Sequence, residues 1–269
     1  MRTLLLALLA VPALVGCVEF NEPCSGVSED PDQQVALLAD AVYLDAANAR
    51  HANNAIAQGA AEAFLRFSEL GVPQTELAVV NGGSLRGEGL CASRTVLPAG
   101  GLKSGVLHEI LLFENRLMSM SVTRDELRQL VEASAARLTP AGLPIANPPG
   151  EFLHMAAGGV GVLEEINCAN PPGSRVQQLW VGGVDMLTPG PDVRLAITDW
   201  SVRLGTGTSD VFASMTGGLA SRSPHTYAPS DGEIVERYFK THFNGPPGLS
   251  ADDRVQFVNC AVPGPPTKQ

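Results

Sequence analysis

Histidine is the side chain best suited to metal binding and to proton transfer near neutral pH, and this chain has five. They are scattered, and no two stand at a spacing typical of metal ligands. His108 and Glu109 begin an H-E-x-x-H zinc motif, but Leu112 stands where the second histidine should be. The glycine-rich run at 205–208 has no lysine after it to reach a phosphate, and the sequence contains no G-x-S-x-G elbow. The residues alone therefore predict no catalytic residue, no metal site and no cofactor.

An apolar run near the start of the chain ends at the first of five cysteines. Met1-Arg2 is a short positive region, and Leu4 to Leu14 has the length of a signal-peptide core but is too short to span a membrane. Leu14-Val15-Gly16-Cys17 resembles a bacterial lipobox, in which the cysteine is lipidated and becomes the new N-terminus. We expect residues 1–16 to be a signal peptide and Cys17 to anchor the mature chain at the bacterial cell envelope, on the periplasmic or cell-surface side. The alternative is an ordinary secretory signal with Cys17 uninvolved.

The other four cysteines form an even set, as expected of disulfides in an exported protein. They are Cys24, Cys91, Cys168 and Cys260, and no C-x2-C spacing indicates zinc. Two disulfides are predicted, and three pairings are open. We favour Cys24–Cys91, which would fix the N-terminal segment to a loop, and Cys168–Cys260, which would fix the C-terminal tail. Buried free thiols are the alternative.

The charge balance excludes one class of partner. The chain has 18 basic and 28 acidic residues, a net charge of −10, and loss of Arg2 with the signal peptide gives 17 − 28 = −11. A protein that wraps nucleic acid needs lysines and arginines for the phosphates, so no nucleic-acid partner is expected. A small anionic ligand held by one or two arginines stays compatible with this balance. The 28 glycines and 20 prolines disfavour a compact helical bundle.

The elements that must position any site are of mixed type. Residues 32–70 are rich in alanine with apolar residues at helical spacing, which predicts two helices with a break near 50–54. Two capping boxes, Thr123 with Glu126 and Ser230 with Glu233, open helices to about Leu138 and His242. Strands are predicted at 77–80, within 111–122, near 152–166, 175–181 and 193–199, and at 254–259. Because helices and strands do not alternate strictly, the predicted fold class is α+β, a mixed sheet with packed helices.

One segment resembles a known family. Asn81-Gly82-Gly83-Ser84-Leu85-Arg86 resembles the N-G-G-x-[IL]-R motif of the C-terminal domain of the 5′-nucleotidase family. Later segments resemble further motifs of that domain in the same order: 111–115 its lxPFgN strand, 116–137 its next strand and helix, 152–158 its flQvSG strand, 175–184 a strand pair, 193–200 its ytVatndF strand, and 205–212 its GGDGY loop. Residues 54–57 resemble part of its GNLiaDA helix. The resemblance covers residues 50–258 and implies the same fold.

The resemblance also implies a ligand, because the family's C-terminal domain binds the nucleoside part of the substrate with arginines and two stacking aromatic rings. Asn81 and Arg86 match the motif directly. The glycines between them allow a close backbone approach to the ligand, and arginine offers a planar charged fork. Trp200 falls on one stacking position. The alternative roles are turn capping for Asn81 and an ordinary half-buried strand end for Trp200.

The second stacking position and the glycine-rich loop complete the predicted ligand set. Met155 or Phe152 falls near that position; Phe152 is expected in the core, which leaves Met155, a weaker packing partner than an aromatic ring. Arg203 and Asp210 belong to the loop that matches GGDGY and are expected to line the pocket. Gln58 stands where the family has a helix aspartate.

The family's complete enzymes also carry a metallophosphoesterase domain, whose D-x-H, G-D-x-x-D, G-N-H-[DE] and G-H-x-H clusters hold two metals that do the hydrolysis. None of these clusters occurs in the 269 residues. We therefore expect a stand-alone domain at 32–262, after a tether at 17–31 and before a Pro-rich tail at 263–269. The predicted function is an envelope-anchored nucleoside- or nucleotide-binding module linked to nucleotide catabolism, with a separate metallophosphoesterase chain as the partner that completes an enzyme in trans. The alternatives are a hydrolase in its own right and a structural envelope domain that has lost its ligand.

Overall fold

The computed structural model describes residues 28–67, 74–87, 95–146, 148, 150–203 and 225–264. Within these ranges the chain forms six helices and thirteen strands. The helices are α1 (Ala46–His51), α2 (Ala55–Arg66), α3 (Ser104–Ile110), α4 (Arg124–Ala135), α5 (Asp199–Arg203) and α6 (Asp231–His242). The strands are β1 (Gln34–Leu38), β2 (Val42–Tyr43), β3 (Leu77–Asn81), β4 (Val96–Leu97), β5 (Gly100–Lys103), β6 (Arg116–Val122), β7 (Leu153–Ala157), β8 (Val162–Asn167), β9 (Val176–Val181), β10 (Val184–Asp185), β11 (Val193–Thr198), β12 (His225–Ser230) and β13 (Val255–Val258).

A five-stranded mixed sheet forms the centre of the domain, in the order β12-β6-β11-β3-β7. Strand β3 runs parallel to β11 and antiparallel to β7. All five residues of β3 are buried, because the sheet is covered on both faces. A second, four-stranded sheet has the order β10-β9-β8-β13, and two small two-stranded sheets pair β1 with β5 and β2 with β4. This arrangement confirms the predicted α+β class.

Helices α2 and α6 form the first hydrophobic core with one face of the central sheet. Ala78 and Val80 of β3 share this core with Phe64 of α2 and Phe239 of α6. Gly59 of α2 lies against α6, where an added Cβ would come within 2.9 Å of the Phe239 ring. A glycine at this position therefore allows the two helices to pack closely.

The second core lies between the other face of the central sheet, helix α4 and the four-stranded sheet. Leu77 of β3 meets Leu130 of α4 and Leu179 of β9 there. A disulfide joins Cys168, which follows β8, to Cys260, which follows β13, with an S–S distance of 2.05 Å. This confirms the predicted Cys168–Cys260 pair. Cys17, Cys24 and Cys91 lie outside the described residues, so lipidation and the Cys24–Cys91 pair stay predictions.

Local signals predicted the helices that begin at capping boxes. Thr123 caps α4 and Ser230 caps α6, and in each box the glutamate three residues later bonds back to the capping residue's backbone N–H. The predicted strands at 77–80, 152–166, 175–181, 193–199 and 254–259 are also present within one or two residues of their expected ends.

Two expectations about elements are wrong. Residues 34–38 and 42–43 form strands β1 and β2, where a helix was predicted, because β1 pairs with β5 and β2 with β4. These partners lie more than fifty residues away, and pairing with them outweighs the local helical spacing. Residues 111–115, matched to a family strand, form a loop between α3 and β6. None of the helices in the described ranges has the length and apolar character needed to cross a bilayer.

Candidate functional site

Asn81 ties together three segments at the carboxyl end of β3. Its side chain is 3% exposed. Its Oδ1 accepts hydrogen bonds from the Ser84 hydroxyl at 2.6 Å and from the Ser201 hydroxyl at 3.4 Å, and its Nδ2 donates to the Gly150 carbonyl at 3.3 Å. These bonds hold a short 3-10 turn, Gly82–Ser84, against α5 and the loop before β7. The Asn81 amide thus bonds to two serine hydroxyls and a carbonyl of neighbouring segments, and it makes no capping hydrogen bond to the backbone of the turn.

The two glycines after Asn81 allow other parts of the chain to come close. A Cβ on Gly82 would lie 2.5 Å from the Ala49 carbonyl oxygen, and a Cβ on Gly83 would lie 2.9 Å from the Gly150 Cα. Both distances are shorter than real Cβ contacts, so no other residue fits without a shift of backbone. These glycines thus admit α1 and the loop before β7, and close approach to a ligand stays a prediction for them.

A cavity of about 380 Å³ lies beside this turn. Arg86 lines it, with its backbone N–H fixed to the Ile110 carbonyl at 3.0 Å. The Arg86 guanidinium carbon lies 4.8 Å from the centroid of the Phe113 ring, which is a cation–π contact. The Arg86 Nε is buried and has no hydrogen-bond partner among the described residues. The cavity thus holds a cationic side chain with an unused donor. Its lining residues are Arg50, Asn81, Gly83, Ser84, Arg86, Phe113, Asn115, Gly150, Glu151 and Trp200.

Two aromatic rings line this cavity. Trp200 is in α5, which follows directly on β11, and its side chain is half-buried. Phe113 lies in the loop before β6 and is 46% exposed, an unusual exposure for a large apolar side chain. Each ring presents apolar surface to the cavity, and a planar ligand can stack on such a surface.

The polar wall of the cavity includes an amide that a buried carboxylate holds in place. Asn115 donates from its Nδ2 to the Asp231 Oδ2 at 2.9 Å, and the Asp231 backbone N–H donates to the Asn115 carbonyl at 2.8 Å. Burial raises the pKa of Asp231 to about 6, and the charge of Asp199 adds to this effect, while the hydrogen bond from Asn115 acts against it. The neutral form of Asp231 therefore persists to a higher pH than that of an exposed aspartate.

A second carboxylate, Glu151, lines the cavity. It is 8% exposed. Its Oε1 accepts from Arg137 Nη1 at 3.2 Å, while its Oε2 is buried without a hydrogen-bond partner among the described residues. Arg50, a further wall residue, donates from Nη1 to the Pro148 carbonyl at 2.7 Å. The cavity therefore combines cations, an acidic group and aromatic surface.

The structure brings three of the six predicted ligand residues to this cavity: Asn81, Arg86 and Trp200. Met155 does not line it, because its side chain is fully buried in the second core. Phe152 lies in that same core, as expected. The side chain of Arg203 and all of Asp210 lie outside the described residues, so both stay predictions.

The cavity residues that sequence analysis missed include Arg50, Phe113, Asn115 and Glu151. Phe113 and Asn115 belong to the segment that resembles lxPFgN, so treating it as a loop rather than a strand would have found them. Arg50 and Glu151 carry no local signal, since tertiary contacts alone bring them to the cavity. Gln58, the residue at the family's helix aspartate, donates to the Asp252 carbonyl and accepts from the Asp252 N–H, and so fixes the segment before β13.

Comparison with known proteins identifies the family. The family model of the 5′-nucleotidase C-terminal domain matches residues 26–214, and the chain belongs to this family. No curated protein matches the sequence. Within the described ranges, no three His, Cys, Asp or Glu side chains cluster as a metal site requires.

Solved structures of larger proteins share the fold. The 5′-nucleotidase precursor of Thermus thermophilus has 21% identity and a TM-score of 0.66, over 84% of this chain and 40% of that one. The NAD nucleotidase of Haemophilus influenzae has 16% identity and a TM-score of 0.61, over 85% and 38%. A 5′-nucleotidase of Staphylococcus aureus, in complex with α-ketoglutarate, has 14% identity and a TM-score of 0.59, over 85% and 41%. The chain thus spans about 40% of the length of each of these proteins.

Proposed function

We propose that this chain binds a nucleoside- or nucleotide-like molecule in the cavity lined by Arg86, Phe113 and Trp200. One observation carries the proposal: a half-buried arginine, whose buried Nε has no hydrogen-bond partner among the described residues, and two partly exposed aromatic rings line the same cavity of about 380 Å³. That volume lies within the usual range for small-molecule sites. Membership of the 5′-nucleotidase C-terminal domain family and structural likeness to an NAD nucleotidase support a nucleotide-like ligand.

Each wall has a distinct part in recognition. The flat apolar faces of Phe113 and Trp200 suit a planar base, since every base has a π-face that stacks on an aromatic ring. The Arg86 guanidinium suits an oxygen-rich or anionic group such as a phosphate or a ring carbonyl. Asn115 offers an amide whose orientation is fixed by Asp231. Arg203, at the end of α5, and Asp210, in the 205–212 loop, are proposed to add contacts.

The binding test uses the two tryptophans of the chain as a matched pair. Trp200 lines the cavity, whereas Trp180 is 40% exposed on β9, remote from the cavity wall. Calorimetric titration with adenosine, AMP and UDP-glucose should give binding to the unmodified chain. Trp200→Ala should weaken it about ten-fold or more, since one base–aromatic stack is worth roughly 1–3 kcal/mol. Trp180→Ala should leave it unchanged. Binding that both substitutions weaken equally, or no binding at all, would contradict the proposal.

The cellular setting is also proposed. We expect Cys17 to carry lipid and to hold the domain at the bacterial envelope, because the residues before it resemble a lipobox. Replacement of Cys17 by Ser should release the protein into the soluble fraction, and unchanged membrane fractionation would contradict the anchor.

Hydrolysis is proposed to need a separate metallophosphoesterase chain in trans, because this sequence carries none of that domain's metal-binding clusters. The purified chain should then release no phosphate from AMP with Mn²⁺, Mg²⁺ or Zn²⁺. Metal-dependent release that survives repurification and is lost in Arg86→Ala would instead favour a hydrolase in its own right. Absence of binding to every compound tested would favour a structural envelope domain.

A further inference from the structure

The cavity contains a carboxylate that uses only one of its two oxygens. We infer that Glu151 is a specificity-determining residue, whose Oε2 accepts a hydrogen bond from an N–H or O–H group of the ligand; this inference rests on the proposed function. Glu151 Oε1 accepts from Arg137 at 3.2 Å, whereas Oε2 is buried with no partner among the described residues. The residue lines the cavity and only 8% of it is exposed.

An unused oxygen on a buried carboxylate is energetically unfavourable, so it needs an explanation. Buried polar atoms in folded proteins nearly always have a hydrogen-bond partner. A charged acceptor without one loses its hydrogen bonds to water, and no bond within the protein replaces them. The Arg137 side chain is 60% exposed and contacts Oε1 only, so it does not satisfy Oε2. A ligand donor in the cavity would supply the missing bond.

Hydrogen bonds hold the backbone on both sides of Glu151, so the main chain that carries this carboxylate is fixed in place. The Gly150 carbonyl accepts from the Gly83 N–H at 2.8 Å, and the Phe152 carbonyl accepts from the Gly82 N–H at 2.7 Å. The Leu153 N–H donates to the Ser134 hydroxyl at 2.8 Å. A side chain on a fixed backbone loses little conformational freedom when a ligand binds, which favours selectivity.

Another residue of the cavity wall, Arg86, supplies a complementary group. Arg86 Nε is a buried donor without a partner, and Glu151 Oε2 is a buried acceptor without a partner, yet no ion pair joins these two described residues. Two unmatched groups of opposite polarity in one cavity fit a ligand that carries both an acceptor and a donor. A bare anion such as inorganic phosphate would satisfy Arg86 but meet repulsion from Glu151.

In a nucleoside, we assign the donor for Glu151 to either the amino group of the base or the 2′- and 3′-hydroxyls of the ribose. The experiment separates these sources with three probes: adenosine, purine riboside, which lacks the amino group, and 2′,3′-dideoxyadenosine, which lacks two hydroxyls. Each is titrated calorimetrically into the unmodified full chain and into Glu151→Gln, which keeps the shape but removes the charge. Arg137→Met is the control, because it breaks the Arg137–Glu151 pair and leaves the carboxylate in the cavity.

The expected result is a selective loss. Adenosine should bind Glu151→Gln about ten-fold or more weakly, the usual scale for a hydrogen bond to a charged group. One of the two analogues should bind the unmodified chain with a similar deficit, and that deficit should shrink in Glu151→Gln. Arg137→Met should keep the ligand preference of the unmodified chain.

The failures are distinguishable. If the unmodified chain binds none of the three probes, the proposed function fails. If it binds all three equally, or if Glu151→Gln leaves the preference unchanged, nucleoside binding stands and the role of Glu151 is overturned. If Glu151→Gln and Arg137→Met lower the melting temperature equally without a change in ligand preference, Glu151 has only a structural role. Should Glu151→Gln fail to fold, the comparison of the three probes on the unmodified chain still decides whether a donor is recognised.

Discussion

Asn115 and Asp231 hold each other by two reciprocal hydrogen bonds, amide to carboxylate at 2.9 Å and backbone N–H to carbonyl at 2.8 Å. Asn115 lines the candidate cavity, while Asp231 is the first residue of α6 and is 1% exposed. The pair therefore connects the polar wall of the cavity to a helix that packs in the first core. Because burial raises the pKa of Asp231 to about 6, the charge of this pair changes as pH rises through that value.

Asp231→Asn should change how stability varies with pH. The pKa of Asp231 is about 6 in the folded chain against an ordinary 3.8, so the folded state binds more protons between these values. The stability that the protonated Asp231 contributes to the folded state is fully present below pH 3.8 and is lost as pH rises through 6. Asparagine does not ionise, so the variant does not lose stability in this way as pH rises. The unfolding free energy of the variant minus that of the unmodified chain should therefore increase between about pH 4 and 7, by at most about 3 kcal/mol.

Urea unfolding at about pH 4, 5.5 and 7, which brackets the shift, measures this difference. Asp125→Asn is the control, because Asp125 is also in the first turn of a helix but its side chain is 76% exposed. A difference for Asp231→Asn that stays flat across this pH range would show that burial does not control this carboxyl group.

Phe113→Leu should weaken ligand binding more than it weakens the fold. Phe113 is 46% exposed and contacts the Arg86 guanidinium, so its truncation removes a stacking surface and a cation–π partner but little core packing. A loss of about ten-fold in adenosine affinity is expected from stacking energies of roughly 1–3 kcal/mol. The melting temperature should move little. Leu143→Ala, at another exposed apolar residue, should leave adenosine affinity unchanged; a large stability loss in Phe113→Leu with no binding change would contradict the assignment.

Local signals account for what could be predicted about the fold. The capping boxes at Thr123 and Ser230 need only four neighbouring residues, so the sequence reveals them directly. Strand β1 depends on β5, whose residues 100–103 include two glycines and carry no strand pattern of their own. The helix predicted at 34–38 is wrong because the strand that pairs with this segment, β5, lies far away in the sequence.

The same limit applies to the candidate site. Arg86 and Trp200 occur in motif positions, and a motif fixes their place in the fold. Met155 lies in the second core, and its sequence position does not reveal this, because β7 is covered on both faces and Leu153 to Ala156 are all buried, with no alternation to show which side chain faces which core. Glu151 reaches the cavity because its neighbour Gly150 contacts the turn at Gly82–Ser84. No local sequence pattern predicts that contact.

Gly82→Ala should damage the site through the backbone. The new Cβ would lie 2.5 Å from the Ala49 carbonyl oxygen and 2.9 Å from the Arg50 Cα, so α1 must move. The move would strain the bond from His154 Nε2 to that carbonyl, now 2.8 Å, and would displace a wall residue of the cavity. We expect a stability loss of about 2 kcal/mol, the scale of overpacking in a core, together with weaker adenosine binding.

Gly158→Ala is the matched control, since a Cβ there meets nothing within 4 Å. It should leave both the midpoint of chemical unfolding and adenosine affinity unchanged. Equal effects of the two substitutions would mean that the close approach of α1 to Gly82 is not what requires a glycine.

Glu164→Gln should stabilise the protein increasingly as pH rises. Glu164 of β8 is 1% exposed, and neither carboxyl oxygen has a hydrogen-bond partner among the described residues. Burial, with a smaller contribution from Glu132, raises its pKa from 4.5 to about 8. The stability that the neutral acid provides is full below pH 4.5 and is lost as pH rises through 8, while glutamine stays neutral throughout. Urea unfolding should show no gain at about pH 4.5 and a gain of a few kcal/mol at about pH 8.5, with about 5 kcal/mol as the upper limit. Glu165→Gln, on the other face of the same strand, is the control, and a gain that is equal for both substitutions or independent of pH would rule out the buried acid as its source.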